Sequence, residues 1–180
     1  MKRDKALLEI GGQPMVLRMV ELVRPLVAEV TLVGAPERYG HLGVPVLADC
    51  EAGRGPLAGI VTALRATRFD WDLIVACDLP FLEAAFLDLL LSEAVAGQDD
   101  ALVPQPEDGW QPLCAVYHRR CLPAFERVLA SDYPKITVAF EDLRVRAVTP
   151  DRLAQFAFNP RMFKNMNVPE DYEEAKRILK

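Results

Sequence analysis

Four apolar residues, Leu73–Ile74–Val75–Ala76, run directly into Cys77–Asp78–Leu79–Pro80. A short continuous apolar stretch closed by a turn signal reads as a strand buried on both faces, most naturally a central strand of a parallel sheet. Pro80 stops the strand, because it lacks the N–H that a ladder needs. The strand therefore presents Asp78 at the sheet's carboxyl edge, where open α/β sheets bind ligands. A carboxylate there suits Mg²⁺, which is usually held by one or two carboxylates and the phosphates it accompanies. The same aspartate could instead cap the helix expected to begin near Leu82.

Similar apolar runs alternate with amphipathic ones along the chain, the pattern of an α/β domain with a mainly parallel sheet. Strands are expected at Val30–Val33, Val44–Ala48, Ala101–Val103, Pro112–Tyr117 and Val145–Val148. Helical spacing follows the Gly11–Pro14 turn from Met15 to Leu26, and again over Pro56–Thr67, Glu83–Ala96, Leu122–Ala130 and Lys135–Glu141. A last helix runs through Asp171–Leu179, with Asn167 and Glu170 spaced as a capping box and Pro169 in its first turn. With 180 residues and no linker or repeat, residues 1–180 form one three-layer α/β/α, Rossmann-like domain.

The net charge is −5 and the basic residues are scattered, which argues against nucleic acid or an anionic membrane as the main partner. No apolar run has the length of a membrane span, and the N-terminal apolar stretch is too short for a secretion signal, so the cytoplasm is the expected compartment. Cys50, Cys77, Cys114 and Cys121 lack paired C-x-x-C spacing, and free cysteine usually serves as a small buried hydrophobe.

Gly34, Asp49 and Asp78 fall at the ends of consecutive expected strands, so two carboxylates would line one rim of the sheet beside a nucleotide. Gly34 would let a base or ribose approach the backbone, or simply form a turn before Ala35–Pro36. Gly53–Arg54–Gly55–Pro56–Leu57–Ala58–Gly59 leads into a helix and offers bare backbone N–H groups to base edges or phosphates. Standing alone, such a stretch is more often only a loop. Lys5, just ahead of an apolar run, could neutralise a triphosphate as a flexible point charge, although a terminal lysine is ordinarily solvated.

Together these segments resemble the molybdenum cofactor guanylyltransferase family, within the nucleotidyltransferases of GT-A-like α/β fold. The resemblance lies in Asp4–Leu8, Gly11–Pro14, Val46–Asp49, Gly55–Gly59, Cys77–Pro80, Gln111–Leu113 and Phe163–Asp171, in family order over nearly the whole chain. It implies transfer of GMP from GTP to Mo-molybdopterin with release of pyrophosphate, Mg²⁺ as cofactor, and molybdoenzyme acceptor or chaperone proteins as further partners. By that resemblance Lys5 contacts the phosphates and Asp78 holds Mg²⁺, and these two carry catalysis. Asp49, with Gly55, Pro56, Leu57, Ala58 and Gly59, binds the nucleotide, the loop facing guanine. Asn165 and Asn167 lie on the metal and pterin side, and the N-x-N spacing favours the guanylyl branch over cytidylyl relatives. At Gly34 many members carry asparagine, so one bond to the nucleotide is expected to be absent.

The family also opens with an apolar strand and a glycine-rich loop ahead of the methionine matched by Met1, and its next residue, a glycine, is Lys2 here. Upstream codons are therefore expected to encode that strand and loop, the strand lying next to the one that ends at Asp78. Two rivals stay open: a cytidylyltransferase or other pyrophosphate-releasing nucleotidyltransferase, and a catalytically dead nucleotide-binding module.

Overall fold

The computed structural model describes residues 4–51 and 53–179. The matches at Met1 and Lys2 lie outside the described residues. A two-stranded hairpin opens the fold, β1 (Glu9–Ile10) against β2 (Gln13–Pro14). Its turn residues Gly11 and Gly12 both have positive φ, the geometry that lets two residues join twisted antiparallel strands. Helix α1 (Met15–Val23) follows and ends earlier than its apolar spacing predicts, because Pro25 tightens Arg24–Leu26 into a 3₁₀ turn. The parallel pair β3 (Leu32–Gly34) and β4 (Val46–Ala48) flanks the one-turn helix α2 (Pro36–Tyr39), and α3 (Pro56–Ala66) comes next.

The remaining strands are β5 (Trp71–Val75), β6 (Ala101–Pro104), β7 (Cys114–His118) and β8 (Val145–Val148), in spatial order β5-β7-β6-β8. They interleave with α4 (Ala84–Ala96), α5 (Leu122–Leu129), α6 (Pro150–Gln155) and α7 (Pro169–Ile178). Lys135–Glu141, expected as an α-helix, forms the 3₁₀ segment Ile136–Asp142.

Alternation along the strands builds two apolar layers. Ala101, Val103, Ala115 and Tyr117 face α3 and α5, packing against Leu57, Ile60, Val61, Phe125 and Leu129. Leu102, Cys114 and Val116 face the other way, onto Phe86, Leu87 and Leu90 of α4. Helices thus cover both faces of a sheet, which is the expected three-layer α/β/α domain.

Two expectations are corrected. β5 is the edge strand of its four-stranded sheet rather than a central strand, and all five of its residues are half-buried whereas β6 is buried throughout. The β3–β4 pair forms a separate ladder, so Asp49 and Asp78 do not follow neighbouring strands. The sheet is also more mixed than expected. β5, β6 and β8 share one direction, but the reversed β7 sits between β5 and β6 and makes both of those ladders antiparallel.

Candidate active site

β5 hands its chain to the site through one tight bond, in which the Ala76 N–H donates to the Leu113 carbonyl at 2.6 Å. Cys77 then turns inward and Asp78 outward, while Leu79 and Leu82 are buried and pin the turn. The Cys77 thiol is pushed up to about 11, by burial first and by the neighbouring Asp78 and Asp4 carboxylates second, so it stays protonated. Asp78 does not cap α4. That helix begins after Glu83, without a side-chain cap, and the Asp78 carboxylate is free to meet other groups.

What it meets is Lys5. The Lys5 Nζ lies 3.8 Å from Asp78 Oδ2 and donates to Asn167 Oδ1 at 2.6 Å. Lys5 starts a 3₁₀ turn, Lys5–Leu7, whose first free N–H, that of Ala6, donates to the Asp4 carboxylate at 3.1 Å. Ala6 points into the core, and Leu8 joins Ile10, Met15, Met19 and Met166 in one apolar cluster. The lysine is thereby carried on an anchored turn.

Asn167 arrives from the far end of the chain. Met166 is fully buried between the exposed Asn165 and Asn167, and its N–H donates to the Asp78 carbonyl at 2.9 Å. One backbone bond thus fixes the asparagine pair against the strand end. The cap of α7 is corrected by one residue: Asp171, rather than Glu170, accepts from the Asn167 and Val168 N–H groups at 2.9 and 3.0 Å. Those two bonds hold the Asp171 carboxyl below its ordinary range. Asn165 makes no side-chain hydrogen bond among the described residues.

Gly34, Asp49 and the Gly55–Gly59 loop form a second group. Gly34 pairs with Ala48 in the β3–β4 ladder, which sets it beside Asp49. The space beside the Gly34 Cα is filled by the Tyr39 ring: a Cβ built there would lie 2.8 Å from its Cε2 atom. The room expected for a base or ribose is thus occupied by the chain's own side chain. The Asp49 corner is fastened to α3 by Thr62, whose hydroxyl accepts from the Cys50 N–H at 2.9 Å and donates to the Ala58 carbonyl at 2.8 Å. Gly55 adopts φ 78° and ψ −171° at the head of α3, a conformation open essentially to glycine alone. Leu57 and Ala58 are fully buried, backbone included, and the Ala58 N–H already donates to the Gly55 carbonyl at 3.2 Å, so neither residue offers the surface group expected of it. Arg54 braces the loop by donating to the Leu129 and Ser131 carbonyls where α5 ends.

Lys5, Asp78 and Asn167 are therefore brought together, while no hydrogen bond or ion pair among the described residues joins Asp49 to Asp78. Sequence reasoning gave no role of their own to Tyr39, Arg54, Thr62 and Asp171, although Arg54 and Asp171 lie inside stretches it singled out. Of these only Asp171 left a signal, an acidic residue in the first turn behind Pro169.

A strand-end carboxylate, a lysine beside it and a glycine-opened helix on a three-layer α/β/α domain define a protein of the nucleotidyltransferase class. The MobA-like NTP transferase domain matches residues 1–146, and the chain belongs to that family. A relative from Pelotomaculum thermopropionicum, named a probable molybdenum cofactor guanylyltransferase, is 37% identical over 98% of this chain and 85% of its own length. The molybdenum cofactor guanylyltransferase of Desulfosudis oleivorans is 31% identical over 98% of this chain and 88% of its own. Among solved structures, molybdopterin-guanine dinucleotide biosynthesis protein A from Archaeoglobus fulgidus superposes with a TM-score of 0.84 at 26% identity, covering 98% of this chain and 91% of that one.

Proposed function

We propose that this chain transfers GMP from GTP to Mo-molybdopterin. The observation that carries the reading is the meeting of Lys5, Asp78 and Asn167, three residues from three distant parts of the sequence. An oxygen of the pterin's terminal phosphate bonds to the α-phosphorus of GTP while the bond from that phosphorus to the α–β bridging oxygen breaks, and pyrophosphate leaves. Such chemistry rests on positioning and electrostatics rather than on a protein nucleophile. Lys5 sits where it offsets the charge that gathers on the phosphates, and its bond to Asn167 keeps the ammonium directed at the Asp78 side.

The residues present fit Mg²⁺. No group of three or more His, Cys, Asp or Glu side chains able to cage a metal occurs among the described residues. Mg²⁺ does not need a cage, since it keeps waters and takes substrate phosphate oxygens, with one or two carboxylates from the protein. Asp78, partly exposed, would supply one carboxylate, and Asn167, whose amide oxygen now accepts from Lys5, could offer a second oxygen donor. When bound, Mg²⁺ polarises the phosphates and neutralises part of their charge.

The Gly55–Gly59 loop and Asp49 would hold the guanine nucleotide, the buried Leu57 and Ala58 fixing the loop from below. No helix among the described residues is long and apolar enough to cross a membrane. The reading places the reaction in the cytoplasm, with the product passed to molybdoenzyme acceptor or chaperone proteins. Titration calorimetry with GTP, CTP and ATP tests the nucleotide. GTP should bind at least about tenfold more tightly, because a polar site leaves its groups unpaired against the wrong base. Equal affinity for GTP and CTP overturns the guanylyl assignment in favour of cytidylyl transfer, and a chain that binds GTP but never releases pyrophosphate is a binding module.

A further inference from the structure

The Tyr39 hydroxyl donates to Asp4 Oδ2 at 2.8 Å, joining residues 35 positions apart. The other Asp4 oxygen, Oδ1, accepts from the Ala6 N–H and so closes the first bond of the turn that carries Lys5. Arg38 adds a guanidinium 3.7 Å from the same carboxylate. A continuous path therefore runs from α2 through Tyr39, Asp4 and the Ala6 amide to Lys5, and from Lys5 to Asn167 and Asp78.

The path needs Gly34. With a Cβ at that position, the Tyr39 ring carbons Cε2 and Cδ2 would stand 2.8 and 3.2 Å away, so the ring would have to shift from the place where its hydroxyl reaches Asp4. The absent side chain at 34 and the phenol at 39 are thus two halves of one device. Burial and the Asp4 carboxylate raise the phenol to about 12, so it remains a proton donor across the working pH range.

We infer that Tyr39 is a positioning residue: seated over Gly34, it holds Asp4 and thereby sets the Lys5 turn against Asp78. The inference rests on the guanylyl-transfer reading for its kinetic consequence, but not for its geometry. It also gives Gly34 a role other than contact with the nucleotide.

The test is Tyr39→Phe, with Gly34→Ala as a second variant that keeps the hydroxyl but displaces the ring. Each should lower kcat about fivefold, the scale of one ordinary hydrogen bond, and leave the KM for GTP within about twofold. In an Asp4→Ala background the Tyr39→Phe loss should vanish, because both changes cut the same path. Amide exchange at Ala6, followed by NMR, should quicken in Tyr39→Phe while the amides of β6 and β7 keep their protection. Losses from Tyr39→Phe and Asp4→Ala that multiply independently would overturn the inference. So would a rise in KM at constant kcat, which would make Tyr39 a nucleotide contact. Should the wild-type chain transfer no GMP, the activity reading fails, and the Ala6 exchange arm still decides whether Tyr39 holds the turn.

Discussion

The Lys5 ammonium and the Asn167 amide oxygen stand 2.6 Å apart although 162 positions separate them in the chain. Their contact closes the site across the two ends of the sequence, and Asp78 lies on the same ammonium at 3.8 Å. A partly exposed ion pair of this kind contributes about 0–1 kcal/mol to stability, so on the proposed role its value is positional.

Lys5→Gln should therefore leave the melting temperature nearly unchanged and reduce kcat by about 10²-fold or more, as expected on removing a charge aimed at a phosphoryl transition state. Steady-state release of pyrophosphate beside a thermal melt measures both. A loss confined to KM would mean that Lys5 only binds ground-state GTP.

Asp78→Asn should fall below about a tenth of wild-type turnover at saturating Mg²⁺, since a metal contributes several kcal/mol of transition-state stabilisation. The fold should survive, because the backbone bond from Met166 goes to the Asp78 carbonyl and not to its carboxylate. Turnover near wild type would move the metal elsewhere.

What the residues disclosed in advance was local. Pro80 after an apolar run marks the turn that carries Asp78, although β5 itself ends three residues earlier at Val75, and Pro56 after Gly55 marks the head of α3, because each acts on its own backbone. Strand direction is not local. Nothing in Cys114–His118 says that it runs against β5 and β6, and its reversal between them leaves β5 at the edge. Contacts between distant segments were equally silent. Tyr39 looks like any helix-end tyrosine until Gly34 admits its ring, and Thr62 like any helical threonine until Cys50 folds back onto it. The α7 cap was misread by one residue because Glu170 and Asp171 are both acidic, and only the turn's geometry selects between them.

Thr62→Val removes the hydroxyl that ties the Asp49 corner to α3 and leaves the Cys50 N–H without that partner. It should cost about 0.5–1.5 kcal/mol by chemical denaturation, the net value of one hydrogen bond, because Cys50 is exposed and water can take its N–H. The KM for GTP should rise with it, since Asp49 loses its fixed position. Unchanged binding would detach Asp49 from the nucleotide.

Asp72 supplies a pH test. Its Oδ2 is buried without a partner, and burial pushes the carboxyl up to about 6 despite the opposing Thr67 bond and Arg119 charge. The folded state therefore holds the proton more tightly than the unfolded chain does. That contribution to stability is fully present below the ordinary value near 4 and is lost as pH rises through about 6. Asp72→Asn should raise the melting temperature at pH 7.5 and much less at pH 4, in paired thermal scans. An equal shift at both values would rule out titration as the cause.

The last helix makes one further demand on this enzyme. Within α7 only Ala175 is fully buried, and exposed pairs such as Lys164 with Asp171 and Glu174 fasten the helix to the segment before it. Surface pairs hold weakly, and elements with little buried apolar surface open at a smaller free energy than the core. Asn167 stands two residues before α7 and donates its N–H to Asp171 of that helix, and it is also the partner of Lys5. On the proposed role of Asn167, turnover should fade reversibly on gentle warming while β6 and β7 stay folded, as the Asp171 bond to Asn167 is lost with the helix.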